Sequence, residues 1–295
     1  MDRRTFLAGV ASAAAASSVG LAGCLGDSDD GSAENWLPAP GLFGTDGYRA
    51  FSTSPAAVGG ISDSLDPSVV EEYTSLILDW QVADPELADV ERYANGEEDE
   101  TGYIAVEHDL DRAMLASSLR DDGFAEAGEH SGFDLYETGD GSSARGLNDG
   151  QLVAGVDTDG GSRIVEGVID AHNGDADRYH EATDAVADVV DAIDTTDNFW
   201  LEGYSQITNT VADRGVFRGS VARGYSLLLD EEEVEATRVE AFVEDADVEE
   251  SAIDTFTGEN PLFNSAENLD WRIDGRLLVI EWTADPSELT LRQLG

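Results

Sequence analysis

The chain has 295 residues, 63 of them acidic and 16 basic, for a formal charge of -47. All the basic residues are arginine, and no basic stripe exists to displace counterions from phosphates, which sets nucleic acid aside as a partner. Hydrophobic residues make up 41% of the chain and Trp, Tyr and Phe are spread along it, enough for a sizeable core and too many for acidic disorder.

Residues 1 to 24 organise the reading. Arg3 and Arg4 are followed by Thr5, Phe6 and Leu7, then by a mild Ala-, Gly- and Ser-rich apolar run that ends at Leu21-Ala22-Gly23-Cys24. The run falls short of the ~20 strongly apolar residues that span a bilayer. The arginine pair with Phe6 and Leu7 resembles a twin-arginine export signal, departing from it at Asp2 and Ala8. Leu21, Ala22, Gly23 and Cys24 resemble a lipoprotein box. This resemblance implies cleavage before Cys24, a lipid on its sulfur, use of the twin-arginine translocase during export, and anchoring on the outer face of the cell membrane. Cys24 is the only cysteine, so no intramolecular disulfide can form.

Loss of residues 1 to 23 removes Asp2, Arg3 and Arg4, a net +1, and takes the charge to -48. At ordinary salt such self-repulsion opposes a compact state. In molar salt the Debye length falls to ~3 Å and the repulsion largely vanishes. Acidic excess, absent lysine and this signal together resemble the exported lipoproteins of halophilic archaea. The resemblance covers the first 30 residues or so; the rest of the chain is read from its residues alone.

Residues 24–35 shift to Gly, Ser, Asp and Glu and form a flexible acidic tether, with folded material starting at Trp36. Tyr48 to Thr53 is predicted as a first strand, Pro67 to Glu72 as a short helix, and Tyr73 to Trp80 as a β-rich apolar run. Thr101 to Glu107 alternates as a strand. Asp109 to Arg120 carries Leu110, Met114, Leu115 and Leu119 at helical spacing, with Asp109 as its N-cap and Gly123 as its stop. Phe133 to Tyr136 and Gln151 to Val156 are strands separated by turns at Asp140-Gly141 and Asn148-Asp149-Gly150. Two amphipathic helices follow, Arg163 to His172 with Ser162 as N-cap, and Ala176 to Asp194. Strands over Phe199 to Tyr204, Val216 to Leu229 and Val234 to Val243 come next. Asp247 to Phe256 reads as a helix with a capping box from Asp247 and Glu250. A hairpin turning at Asp274-Gly275 closes the chain.

The expected fold class is α+β, built from two tandem β-β-α-β-β-like sheet-and-helix units, the first with two extra amphipathic helices. Ser75 to Asp79 against Ser226 to Asp230, and the turn at Asp149-Gly150 against that at Asp274-Gly275, carry the match. The boundaries are 1–23 for the signal peptide, 24–35 for the tether, 36–197 for the first unit and 198–295 for the second.

No catalytic constellation emerges. His172 and His180, with Asp175, Asp177 and nearby Asp170 and Asp184, form the one candidate metal cluster, although acids are so common here that a histidine with acidic neighbours is expected by chance. His108 and His130 belong to no recognisable spacing. Gly160-Gly161-Ser162-Arg163-Ile164 lacks the second glycine of a nucleophile elbow. The acidic runs at Glu97 to Glu100 and Asp230 to Glu233 lack calcium-loop spacing, and Asp157-Thr158-Asp159-Gly160 has no glutamate at the twelfth position. No cofactor motif is present. The expectation is a lipid-anchored extracytoplasmic protein of a halophile with a non-catalytic role, binding a surface partner or small ligand. The alternative is a metal-dependent hydrolase using His172, His180 and nearby aspartates.

Overall fold

A computed structural model describes residues 33–78, 85–193, 195, 197–204, 217–246 and 248–294. Among the described residues twelve strands join in one sheet: β1 (Arg49–Thr53), β2 (Val90–Glu98), β3 (Thr101–His108), β4 (Ala125–His130), β5 (Phe133–Glu137), β6 (Ser143–Leu147), β7 (Gln151–Val156), β8 (Asn198–Gly203), β9 (Ser220–Leu228), β10 (Val234–Phe242), β11 (Glu267–Asp274) and β12 (Leu277–Ala284). Their order across the sheet is β11-β12-β10-β9-β8-β1-β2-β3-β7-β6-β5-β4. Every pairing is antiparallel, as short hairpin turns favour. The described residues are therefore α+β around a large antiparallel sheet.

Both faces of that sheet are covered, which explains why so few strands alternate cleanly between apolar and polar residues. One face carries α4 (Gly161–Asn173), α5 (Tyr179–Ala182), α6 (Asp184–Ala192) and the segment around Trp36 and Leu37; its core includes Ile164, Val165, Val168, Val186 and Val189 against Ala50, Ala105, Val153 and Leu201. The other face carries α1 (Pro55–Gly60), α2 (Pro67–Leu78), α3 (Arg112–Asp121), α7 (Glu250–Glu259) and α8 (Leu291–Leu294), whose Val58, Tyr73, Ile77, Leu115, Leu119, Ile253 and Phe256 pack over Phe51, Tyr93, Val106, Tyr225 and Trp282. Among the described residues no helix is long and apolar enough to cross a membrane.

Several sequence expectations change here. Tyr73 to Leu78 is the second half of α2, not a strand: Tyr73 and Ile77, four apart, are buried while Leu76 is 53% exposed. Asp66 opens this helix by accepting the Ser68 N–H at 2.8 Å. Residues 79 and 80, the end of the expected run, lie outside the described residues. The strand β2 went unpredicted because its buried positions include Arg92, a polar residue in a two-sided core. The N-cap of α3 is Asp111, whose carboxylate takes the Met114 N–H at 2.8 Å, rather than Asp109.

Ser162 is not the cap of α4 either. That place is held by Gly160 at φ 135°, and the Ser162 hydroxyl donates to the Glu137 carboxylate. The predicted helix from Ala176 to Asp194 breaks at Thr183, which is extended (φ -143°, ψ 106°). Tyr179 supplies the reason. Its hydroxyl takes the N–H groups of Tyr48 and Gly203, both at 2.9 Å, and donates to the Tyr48 carbonyl at 3.0 Å. That pins α5 to the sheet, and the extended residue resets the chain so that Ala185, Val186 and Val189 of α6 face inward. The expected capping residue Asp247 is outside the described residues; α7 starts two residues later behind Glu249.

Close helix–sheet contact depends on glycine at one point in particular. A Cβ on Gly155 would lie 2.8 Å from the Gly161 carbonyl oxygen, and one on Gly161 would lie 2.6 Å from the Ala144 nitrogen. The first turn of α4 thus rests directly on β6 and β7.

Candidate functional site

The residues of the export signal and lipoprotein box, Arg3, Arg4, Phe6, Leu7, Leu21, Ala22, Gly23 and Cys24, lie outside the described residues. The candidate metal residues are within them, and the structure gives the histidines other partners. The His172 ring stacks on Trp36 with centroids 3.7 Å apart and planes 12° apart, and its Nε2 is 3.1 Å from Gln151 Nε2. Trp36 in turn donates its indole N–H to Glu107 at 2.9 Å, and burial raises the pKa of that carboxyl. His180 is half-buried on α5, and Asp175 and Asp177 are exposed in the connection before it. Asp170 is hydrogen-bonded to His130 at 2.6 Å, which ties the edge strand β4 to α4. Among the described residues no group of three or more His, Cys, Asp or Glu side chains is arranged to hold a metal.

The other chemical candidates resolve into local structure. Asp157 accepts the Asp159 N–H at 2.9 Å and pairs with Arg163, and these contacts hold its carboxyl below the usual range. His108 is buried, with Nδ1 accepting the Leu110 N–H at 3.2 Å, and desolvation lowers its pKa. The acidic runs are hairpin tips: Asp99 turns at φ 53° between β2 and β3, and Asp230 accepts the Glu232 N–H at 2.9 Å between β9 and β10.

Two arrangements that the sequence analysis missed replace them. The first is an open groove of about 620 Å³ along α3, bounded by Asp134 and Tyr136 of β5 and by Asp149 of the β6–β7 turn. Arg112 spans its floor, bonded to Asp134 at 2.8 Å and Asp149 at 3.1 Å, and both carboxylates raise its pKa further. Two turns along the helix Arg120 pairs with Glu126 at 2.6 Å and stands 5.7 Å over the Tyr136 ring. Ala113 and Ala116 leave room between the two arginines. The groove offers fixed guanidinium groups, exchangeable carboxylate partners and an aromatic wall, and its lining holds no Ser, Cys or His to act as a nucleophile or base. The sequence signal was the pair Arg112 and Arg120 on one helix in a chain so poor in cations.

The second is a row of alternating charge that crosses the sheet. Glu97, Arg49, Glu202, Arg223 and Glu240 lie in register across β2, β1, β8, β9 and β10. Burial deepens along it: Glu97 is exposed, Arg223 and Glu202 pair at 2.5 Å while nearly buried, and Glu240 is fully buried. Glu240 also holds Arg238 at 2.5 Å and Ser220 at 2.8 Å. The guanidinium of Arg223 lies 4.6 Å over Trp200 and that of Arg238 4.9 Å over Phe256. Cross-strand opposite charges tie β8 to β9 through Glu202 and Arg223, and cross the β1–β8 seam through the longer Arg49–Glu202 pair at 3.8 Å.

No protein-family model matches the chain, and no curated protein matches it. Among solved structures it is similar in fold to TP0453. Crystal form III shares 11% identity over 85% of this chain and 93% of that one, with a TM-score of 0.51. Form IV shares 12% identity over 88% of this chain and 99% of that one, with a TM-score of 0.50. At such identity the likeness is one of fold.

Proposed function

We propose that this chain is a lipid-anchored extracytoplasmic protein of a halophile, held by Cys24 and acting by binding rather than catalysis. The observation that carries the reading is the lone cysteine in Leu21-Ala22-Gly23-Cys24 behind Arg3-Arg4-Thr5-Phe6-Leu7. The α3 groove, with paired arginines and without a nucleophile in its lining, is one place among the described residues open to a small ligand or surface partner. The hydrolase alternative has no observation in its favour, since His172 is packed on Trp36 and bonded to Gln151. Fractionation of cells that carry Cys24→Ser tests the anchor. The variant is expected in the medium, and its retention with membranes would overturn the proposal.

We also infer that the two halves arose from one unit. Outward from the β1–β8 pair the sheet runs β2, β3, β7, β6 on one side and β9, β10, β12, β11 on the other. Each half places a helix, α3 or α7, after its second strand in that count, β3 or β10. The supporting match is therefore β2 with β9, since Ser75 to Leu78 is helical and cannot correspond to Ser226 to Leu228. A superposition of the matched strands and helices no better than that of unrelated sheets would count against common origin.

A further inference from the structure

The sheet ends in two edge strands of opposite character. At β4 the sequence Ala-Glu-Ala-Gly-Glu-His offers no large apolar side chain, the register slips between Glu126 and Gly128, and Gly128 has φ 133°. These are devices that discourage another strand from adding. At β11 the irregularity falls at the start, around Asn268 (φ 51°), and leaves Asp270 to Asp274 regular against Leu277 to Glu281. Trp271 and Ile273 lie opposite Ile280 and Leu278, on the sheet face that carries α7. Ile273 is 40% exposed, and Leu269, in the irregular stretch before Asp270, is 37% exposed. An edge strand with an exposed apolar row is a template for strand addition.

The occupant follows from the residues themselves. Leu269-Asp270-Trp271-Arg272-Ile273 is complementary to its own reverse. We propose that β11 pairs antiparallel with β11 of a second copy of this chain about a two-fold axis at Trp271. In that register Asp270 faces the partner's Arg272, Arg272 faces the partner's Asp270, and Trp271 meets the partner's Trp271. Within one chain Asp270 stands directly opposite Glu281, a like-charge pair that Arg272 relieves through its own bond to Glu281. The second copy brings a further guanidinium to that acidic spot. Because the contact uses the same patch on both copies it closes at two. The strong negative charge of each copy opposes the approach in dilute buffer and is screened in molar salt.

Sedimentation equilibrium of the full chain in molar salt tests this. A reversible monomer–dimer equilibrium is expected that shifts to monomer as salt is lowered within the folded range. Asp270→Arg sets like charges face to face twice per dimer and is expected to raise the dissociation constant by about tenfold or more. Asp270→Arg combined with Arg272→Asp swaps the signs, keeps the complementarity, and is expected to return within about threefold of the parent. Circular dichroism confirms that each variant is folded. A parent chain that stays monomeric at high concentration in molar salt overturns the proposal without recourse to any variant. So does a dimer indifferent to Asp270→Arg, or one lost equally in the single and swapped variants.

Discussion

Glu240 is the residue on which the buried end of the charge row depends, and its truncation gives the sharpest test of the row. Its carboxylate is fully buried and bonded to Arg238 and Ser220, and it stands in register with Arg223. Glu240→Ala leaves the guanidinium of Arg238, itself only 7% exposed, without that carboxylate in a low-dielectric site. Breaking such a buried pair from one side costs about 3–5 kcal/mol. Glu240→Gln keeps one acceptor oxygen for Arg238, turns its other arm into a donor toward the Ser220 hydroxyl and loses the charge, so about 1.5–3 kcal/mol is expected. Guanidinium unfolding followed by tryptophan fluorescence, repeated at about 2 M and about 4 M potassium chloride, separates this term from the surface charge. Overall stability should rise with salt as the surface acids are screened, while the difference between parent and variant stays constant because water and ions do not reach Glu240. A loss below about 1 kcal/mol, or one that shrinks in step with salt, would refute the claim that the row clamps the sheet from inside.

Two further outcomes follow from the packing. Ile77→Ala should destabilise by about 2–5 kcal/mol, as a buried truncation does, whereas Leu76→Ala should stay within about 0.5 kcal/mol; equal effects in the same unfolding assay would contradict the helical assignment of α2. Tyr179 has its phenol pushed up to about 12 by burial. Its contribution to stability is accordingly intact below the ordinary phenol pKa of about 10 and is lost as pH rises through 12. Tyr179→Phe should reduce the alkaline loss, which other buried tyrosines share, and cost about 1–3 kcal/mol at neutral pH, since the Tyr48 N–H is left unbonded and the Gly203 N–H keeps only its 3.3 Å bond to the Tyr48 carbonyl. An ultraviolet titration in which this phenol ionises near 10 would show that reasoning to be mistaken.

The parts of the fold legible in the sequence are those set by local chemistry. The turns at Asn148-Asp149-Gly150 and Asp274-Gly275 fall between β6 and β7 and between β11 and β12, and Gly275 takes φ 56° as such a turn demands. The helices α3 and α4 follow their apolar spacing to within two or three residues. What failed was set at a distance. The strand β2 hides Arg92 because helices cover both faces of the sheet, and β4 has no strand-forming residue beyond its pairing with β5. The run Ser75 to Leu78 fits a strand or a helix equally until packing selects Tyr73 and Ile77 for the core. The groove is a product of the same long-range assembly: Arg112 meets Asp134 and Asp149, 22 and 37 positions further along the chain. No spacing rule reaches that far.

The seam itself sets a timetable for folding. Because β1 is flanked by β2 on one side and β8 on the other, the pairing of Phe51 with Trp200 waits until most of the chain has left the ribosome. Until then β1 is a bare edge in the middle of the future sheet, with its backbone groups open to any passing strand. Closing so wide a loop is intrinsically slow, since its entropy must be overcome before the contacts that reward it exist. If the proposed export takes place, a chain of this topology has reason to complete that step first. Export of the finished fold, rather than of an extended chain to be assembled outside, would spare it a second passage through the open-edged state.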